Sequence, residues 1–103
     1  MTTLTCKGIV YYSPSDERAF FEWVARIGCI SRVEGRGDAL LLYLSTKRVS
    51  EVNLRELIAL FRRYKVGMAQ LAQLENPRNR DWFRSPNAFW NKAVFPRRSA
   101  TLA

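Results

Sequence analysis

The chain has 103 residues, of which 48% are hydrophobic and 25% are charged, and its formal net charge is +8 at pH 7. This length supports one domain with a single core, and the composition excludes an intrinsically disordered chain. The sequence contains no histidine. It therefore lacks the most common general base, the most common metal ligand and the usual activator of a nucleophilic serine or cysteine.

The positive charge is concentrated in the second half of the chain. Residues 60–103 contain nine Lys or Arg and two Asp or Glu, whereas residues 1–59 contain eight basic and seven acidic residues. An anionic partner is therefore expected to contact the second half. No apolar run approaches the roughly 20 residues of a membrane span, and the first residues lack a signal-peptide pattern. We predict a cytoplasmic protein without membrane contact.

The cysteines, Cys6 and Cys29, are too few for a disulfide scaffold or a four-thiolate zinc site. We expect both thiols to be free and buried, because cysteine commonly behaves as a small core residue. No cofactor and no metal ligand is predicted.

The first predicted elements are a strand and a helix. Lys7 to Tyr12 is rich in β-branched and aromatic residues, which predicts the first strand. Ser13 followed by Pro14 favours a helix start, and the helix should continue to about Ile27 before Gly28 ends it. Its inner face is expected to comprise Phe20, Val24 and Ile27.

Two strands joined by a turn are predicted next. Cys29 to Glu34 indicates the second strand, and the two glycines of residues 35–38 favour a turn because glycine accepts a positive φ. Ala39 to Leu44 predicts the third strand. Its unbroken apolar run indicates a central position in the sheet or burial on both faces.

The clearest helix pattern lies between Val49 and Tyr64. Ser50 is a favourable N-cap, Val49 can pack on Leu54, and Gly67 is predicted to end the helix. The apolar face of this helix comprises Leu54, Leu57, Ile58 and Phe61.

Residues 68–74 fit either a short helix or a fourth strand. The spacing of Met68, Leu71 and Leu74 favours the helix, but the strand is equally compatible. The order β-α-β-β-α predicts an α+β two-layer sandwich with both helices on one face of an antiparallel sheet. The fold is ferredoxin-like if a fourth strand follows, and otherwise the sheet has three strands.

The C-terminal segment is rich in aromatic residues. Glu75 to Arg80 predicts a loop, Asp81 favours a short helical turn, and Ser85-Pro86 favours a helix that continues to Lys92. We assign residues 1–96 to a single α+β domain with a helical, aromatic-rich C-terminal segment. Residues 97–103 are expected to form a flexible tail.

Basic and aromatic residues alternate in the second half, as they do in many binding surfaces. Arginine contacts phosphates and aromatic rings stack on unpaired bases, while Trp and Arg also dominate protein-interface hot spots. The same residues also suit a structural role, complementing a helix dipole and closing the core. The candidate partner-binding residues are Arg62, Arg63, Arg84, Trp82 and Trp90.

No catalytic motif is present, and we predict that the protein is not an enzyme. The carboxylates of Asp16 and Glu17 are typical of a helix start, and no glycine-rich phosphate loop precedes a helix. Tyr43 in the third predicted strand suggests base stacking on a sheet. However, the strand lacks the glycine and paired-aromatic pattern of RNA-recognition sheets.

In KGIVYYSPSDERAFFEW, LRELIALFRRY and WFRSPNAFWNKAVF the chain resembles a set of short stand-alone bacterial proteins, over about residues 7–95. Proteins of this kind include immunity proteins, which neutralise a toxin by direct binding. The resemblance implies a non-enzymatic protein-binding module and assigns no residue role. With a net charge of +8, such a module would need a toxin with an acidic surface, or a contact that avoids the active site of the toxin. The alternative is a nucleic-acid-binding protein that uses the basic C-terminal half. The oligomeric state stays open.

Overall fold

The computed structural model describes residues 2–46 and 48–96. The predicted tail, residues 97–103, lies outside the described residues. Within them, the strands are β1 (Thr2–Lys7), β2 (Ile30–Arg36) and β3 (Ala39–Leu44), and the helices are α1 (Pro14–Arg26), α2 (Glu51–Arg63), a 3₁₀ helix (Ala69–Leu74), α3 (Arg80–Phe83) and α4 (Asn91–Val94).

The strands form an antiparallel sheet in the order β1-β3-β2, so β3 has the central position that its apolar sequence predicted. Both β1 and β2 pair antiparallel with β3 and therefore run parallel to each other, joined by α1. The two long helices pack on one face of this sheet. The predicted α+β two-layer sandwich is thus the observed fold class.

The core lies between the sheet and the two long helices. Leu4 on β1 pairs with Leu42 on β3, and both side chains are 0% exposed. Thr3 and Thr5 alternate with Leu4 and are exposed on the opposite face of the sheet. The predicted inner faces of the helices are buried and comprise Phe20, Val24, Ile27, Leu54, Leu57, Ile58 and Phe61.

Both long helices begin where the sequence predicts. The Ser13 hydroxyl accepts a hydrogen bond from the backbone N–H of Asp16 at 3.1 Å, and Pro14 is the first helical residue. The Ser50 hydroxyl accepts one from the backbone N–H of Asn53 at 3.2 Å. These caps satisfy N–H groups that have no partner inside the helix.

The first strand lies earlier than predicted. It covers Thr2–Lys7, whereas the composition of Lys7 to Tyr12 had indicated the strand there. Gly8 follows β1 with a φ of 67°, and the chain then leaves the sheet, with Tyr12 86% exposed. Residues with high strand propensity thus occupy a loop, because burial follows the alternation of residues 2–7.

The second strand extends further toward the turn than predicted. It spans Ile30–Arg36 and not Cys29–Glu34, so the hairpin loop consists of Gly37 and Asp38 alone. Gly37 has a φ of 63°, and among the described residues Asp38 is not in the positive-φ region. This combination is typical of a type II′ turn, which twists in the sense of the flanking strands.

Helix α2 ends at Arg63, and the left-handed residue that follows it is Lys65 and not Gly67, where the sequence predicted the stop. Lys65 adopts a φ of 57°, its N–H donates to Arg62 O at 3.4 Å, and the N–H of Val66 donates to Phe61 O at 2.9 Å. This is the Schellman pattern, in which the residue after the left-handed one packs on the last turn. Val66 and Phe61 are both buried in the core. Because Val66 is the residue that packs on the last turn, the residue before it, Lys65, has to adopt the left-handed conformation.

Residues 69–74 form a 3₁₀ helix, so the sheet has three strands within the described part of the chain. The condition for a ferredoxin-like fold, a fourth strand at this point, is therefore not met. Leu71 and Leu74 are 0% and 1% exposed. Their spacing of three matches the period of a 3₁₀ helix, which places both on one side.

The last helix begins later than predicted, at Asn91 and not after Ser85-Pro86. The intervening residues form turns, and two side chains hold them in place. The indole N–H of Trp90 donates to Phe83 O at 2.8 Å, and Asn91 Nδ2 donates to Arg84 O at 3.1 Å. These bonds satisfy the carbonyl groups at the end of α3.

Both cysteines are free and buried, as predicted. Cys6 lies on β1 and Cys29 just before β2, with β3 between the two strands. Burial raises the pKa of the Cys6 thiol to about 12 and also raises that of Cys29. Among residues 2–46 and 48–96, no helix has the length and apolar character needed to cross a membrane.

Candidate contact surface on helix α2

The outward side of α2 forms a ridge between α1 and the C-terminal segment. Val52, Glu56, Ala59 and Arg63 follow one another at spacings of four, three and four, which places them along one line of the helix. Val52 is 72% exposed, and Arg63 is also exposed. Glu56 is exposed as well, so the ridge presents apolar, basic and acidic groups to solvent.

Helix α1 borders one side of this ridge through Trp23. Its indole N–H donates to Glu56 Oε1 at 2.8 Å, and its ring makes an edge contact with Tyr64 at 6.4 Å between centroids. The Tyr64 hydroxyl in turn donates to Asp16 Oδ1 at 3.1 Å. These contacts fix α1 against α2.

The C-terminal segment borders the other side through stacked arginine and tryptophan side chains. The guanidinium carbon of Arg55 lies 4.2 Å from the centroid of the Trp82 ring and 5.8 Å from that of Trp90. The Nε of the same guanidinium group donates to Glu51 Oε2 at 2.9 Å. Arg55 is therefore oriented by a carboxylate while it covers a tryptophan face.

Phe89 extends this side toward the C-terminal end of α2. Its ring is 60% exposed and lies 5.8 Å from the guanidinium carbon of Arg62. Neither Arg62 nor Arg63 forms an ion pair with any residue that the structure describes. We define the α2 contact surface as Val52, Arg55, Arg62, Arg63, Trp82 and Phe89.

Trp90 lies beneath this surface. It is only 8% exposed, and its ring makes edge-to-face contacts with Trp82 at 6.1 Å and with Phe89 at 5.0 Å. Its indole N–H is bonded to the backbone as described above. Trp90 thus supports the two aromatic rings of the α2 contact surface from below.

Arg84 belongs to a separate cluster around Glu75. Its Nε lies 2.5 Å from Glu75 Oε2, and its guanidinium carbon lies 4.2 Å from the centroid of Phe95. Arg80 Nε approaches the same carboxylate oxygen at 3.4 Å. The hydrogen bond from Arg84, aided by both positive charges, lowers the pKa of Glu75. Glu75 therefore offsets part of the positive charge of the second half.

The five predicted partner-binding residues therefore lie in two places. Arg62, Arg63 and Trp82 join the α2 contact surface with Trp90 under it, whereas Arg84 makes its ion pair and ring contact in the Glu75 cluster. The prediction did not include Arg55. Its spacing of seven from Arg62 indicated a shared helix side, but its contact with Trp82 depends on the tertiary fold.

The open face of the sheet carries a second stacked pair. The guanidinium carbon of Arg32 lies 4.2 Å from the Tyr43 ring, and the Tyr43 hydroxyl donates to Glu34 Oε1 at 2.6 Å. This hydrogen bond, with one from Arg36, lowers the pKa of Glu34, and the Glu34 contact raises the pKa of Tyr43. The central-strand ring is thus already covered by an arginine.

In the part of the chain that the structure describes, no group of three or more His, Cys, Asp or Glu side chains is placed to hold a metal ion. Comparison of the chain with protein-family models, with curated proteins and with solved structures gives no match. The likeness to immunity proteins remains a prediction from the sequence.

Proposed function

We propose that the protein is a non-enzymatic binding module that covers the surface of another protein with its α2 contact surface. The observation that carries this proposal is the position of the Arg55 guanidinium group over Trp82, with its Nε bonded to Glu51. Side chains ordered before binding lose little conformational entropy when a partner arrives. Trp and Arg are also the residues that most often dominate the binding energy of protein interfaces.

The partner that fits this surface has an acidic contact area with an apolar centre. Arg62 and Arg63 contribute positive charge that no described carboxylate neutralises, and Val52 and Phe89 contribute exposed apolar area. The net charge of +8 would also accelerate the approach of an acidic partner.

The specific role that we propose is neutralisation of a bacterial toxin by direct binding. This proposal rests on the resemblance to short stand-alone bacterial proteins, a group that includes immunity proteins. The basic charge restricts the target, because the toxin must offer an acidic surface to the α2 contact surface.

Nucleic-acid binding is the second candidate, favoured by basic side chains of the second half, such as Arg62 and Arg63, that form no ion pair with the residues described. Base stacking, however, needs aromatic faces that are open to the base. Arg55 covers Trp82 and Arg84 covers Phe95, both at 4.2 Å, and Trp90 is 8% exposed. Each arginine covers only one face of its ring, and Phe89 is 60% exposed, but these rings do not form the row of open faces on which successive bases of a single strand stack. The arrangement therefore favours a protein partner over a single-stranded nucleic acid.

The experiment that tests the proposal is capture of partners by the tagged protein from its own host at ~150 mM salt, with and without nuclease. We expect a stoichiometric protein that survives nuclease treatment, is lost with Arg62→Glu/Arg63→Glu and is retained with Arg18→Glu/Arg26→Glu. The second double variant changes the net charge equally but alters exposed residues of α1.

Three outcomes would contradict the proposal. Partners that disappear with nuclease would assign the surface to nucleic-acid binding. Equal loss with both double variants would indicate a general charge effect. A captured protein that is harmless when expressed alone, or whose toxicity is not relieved by co-expression, would exclude the neutralising role.

A further inference from the structure

A cavity of about 720 Å³ lies between the connection from β3 to α2 and the turn at residues 76–79, with Trp82 in its wall. This volume falls within the roughly 300–1,000 Å³ that is typical of small-molecule sites. It is much larger than one inorganic anion requires. The cavity therefore has room for an organic ligand.

One wall of the cavity is rigid because of a network of asparagine hydrogen bonds. Asn76 Oδ1 accepts from the N–H groups of Arg78 at 2.8 Å and of Asn79 at 3.0 Å, and Asn79 Oδ1 accepts from the N–H of Asn76 at 2.8 Å. Asn79 Nδ2 donates to Leu74 O at 2.9 Å, and Asn79 is only 5% exposed. The backbone that carries Arg78 is thus fixed before any ligand binds.

The charge of the cavity is positive. Arg48 and Arg78 line it, and neither forms an ion pair within residues 2–46 and 48–96. Glu51 also lines the cavity, but its carboxylate is paired with Arg55. Two guanidinium groups are therefore left without a carboxylate and available to an anion, and arginine recognises phosphate oxygens through paired N–H groups.

Trp82 gives the cavity an aromatic wall with an unused donor. The indole N–H groups of Trp23 and Trp90 are bonded to Glu56 and to Phe83 O, whereas that of Trp82 has no partner among the described residues. Pro77 also lines the cavity and adds apolar surface. The lining thus combines hydrogen-bond donors with apolar surface, the composition of ligand sites in general.

We propose that this cavity binds an organic phosphate monoester with a planar ring, the phosphate between Arg48 and Arg78 and the ring against Trp82 and Pro77. A phosphate dianion matches two guanidinium groups better than a single carboxylate does. This site is a function beyond the protein-binding role, because its ligand is a small molecule and both arginines lie outside the α2 contact surface.

The test is isothermal titration calorimetry of the whole chain with phenyl phosphate, adenosine monophosphate and uridine monophosphate at ~150 mM salt. Inorganic phosphate serves as one half of every ligand, and phenol, adenosine and uridine serve as the matching dephosphorylated halves. We expect at least one of the monoesters to bind about tenfold or more tightly than either half. Absence of binding by all three monoesters overturns the proposal.

Variants that each remove one positive charge locate the site. Arg48→Gln and Arg78→Gln should each weaken binding of the monoester by about tenfold or more, since each removes one charge-assisted contact. Arg18→Gln, an exposed residue of α1 with the same change in charge, should leave the affinity unchanged. Equal weakening by all three variants, or by none, overturns the assignment. Capture of a protein partner should be unaffected by Arg48→Gln, so the two proposals fail separately.

Discussion

The side-chain amide of Gln70 forms two hydrogen bonds with the backbone of Thr5. Gln70 Nε2 donates to Thr5 O at 2.8 Å, and Gln70 Oε1 accepts from Thr5 N–H at 2.8 Å. A neighbouring strand would make the same pair of bonds at the edge of a sheet. Gln70 thus closes part of the outer edge of β1, which limits pairing with other chains.

Replacing Gln70 with alanine removes these two bonds and a third, from Nε2 to Gly67 O at 2.8 Å. Because all three are exposed to solvent, each should contribute near the lower end of the roughly 0.5–1.5 kcal/mol of a hydrogen bond, and the fold should lose about 1.5–2 kcal/mol. Urea unfolding measures this loss, and hydrogen exchange should show faster exchange at the Thr5 amide. Gln73→Ala is the control, because Gln73 Nε2 bonds only to Gln70 O among the described residues, at 2.9 Å. Equal destabilisation by both variants would show that the edge contact contributes nothing specific.

Trp90→Ala should lower the free energy of unfolding by about 3–5 kcal/mol, because it leaves a cavity and an unbonded carbonyl at Phe83. Trp82→Ala should cost clearly less, because Trp82 is half-buried and its indole makes no hydrogen bond to the residues described. Chemical denaturation of both variants checks this order. The opposite order would identify Trp82 as the core residue.

The hydrogen bond from Arg84 lowers the pKa of Glu75, and the free energy of unfolding therefore depends on pH in the acidic range. Because the folded pKa lies below the unfolded value, this stabilisation is fully present above the ordinary carboxyl pKa of about 4.3 and is lost as the pH falls through the folded pKa. Glu75→Gln should therefore reduce the loss of stability on acidification. Urea unfolding between pH 3 and 6 measures the difference.

Two further variants identify the cause of this pH dependence. Arg84→Gln should reduce it in the same direction but by less than Glu75→Gln, because it removes the main hydrogen-bond donor while Arg80 Nε stays 3.4 Å from the same carboxylate oxygen. Arg62→Gln removes the same charge at a site with no carboxylate contact in the described structure, so it should retain the wild-type profile. The lowered pKa of Glu34 adds to every profile and cancels in the comparison. A wild-type profile for Glu75→Gln would contradict the assignment.

The helix starts could be predicted because their signals are local. Ser13 and Ser50 each cap a helix with a side-chain bond to a residue three positions later. The first strand was placed wrongly. Residues 9–12 have a higher strand propensity than residues 2–7, whose alternation of apolar and polar side chains is a weaker signal. The position of β1 along the chain is decided by which residues can bury one face against the helices, and amino-acid composition contains no information about that burial.

The sequence allowed us to predict several residues of the α2 contact surface, but not which of them contact one another. Arg62, Arg63 and Trp82 were selected from the basic and aromatic character of the second half. The role of Arg55 depends on α3 packing beside α2, a contact between segments distant in sequence. The same holds for Arg84. The sequence alone does not show whether this arginine is free to bind a partner or is paired with Glu75, as the structure has it.

At the end of α2 the left-handed backbone conformation lies on Lys65, although a glycine, Gly67, follows two residues later. Lys65 adopts a φ of 57°, which strains an L-residue by roughly 1–2 kcal/mol. Glycine removes that strain but costs roughly 0.5–1 kcal/mol in chain entropy. Lys65→Gly should therefore stabilise the fold by about 0.5–1 kcal/mol, measured by urea unfolding. Gly8→Ala, at a φ of 67°, should destabilise it.

Gly67→Ala separates the two explanations of the helix end. Gly67 is not in the positive-φ region, and a Cβ there would meet no atom within 4 Å among the described residues. The substitution should therefore be neutral or stabilising, by up to about 1 kcal/mol, because alanine restricts the unfolded chain. If Gly67→Ala were instead as destabilising as Gly8→Ala, Gly67 would be the capping residue. The left-handed conformation would then not belong to Lys65.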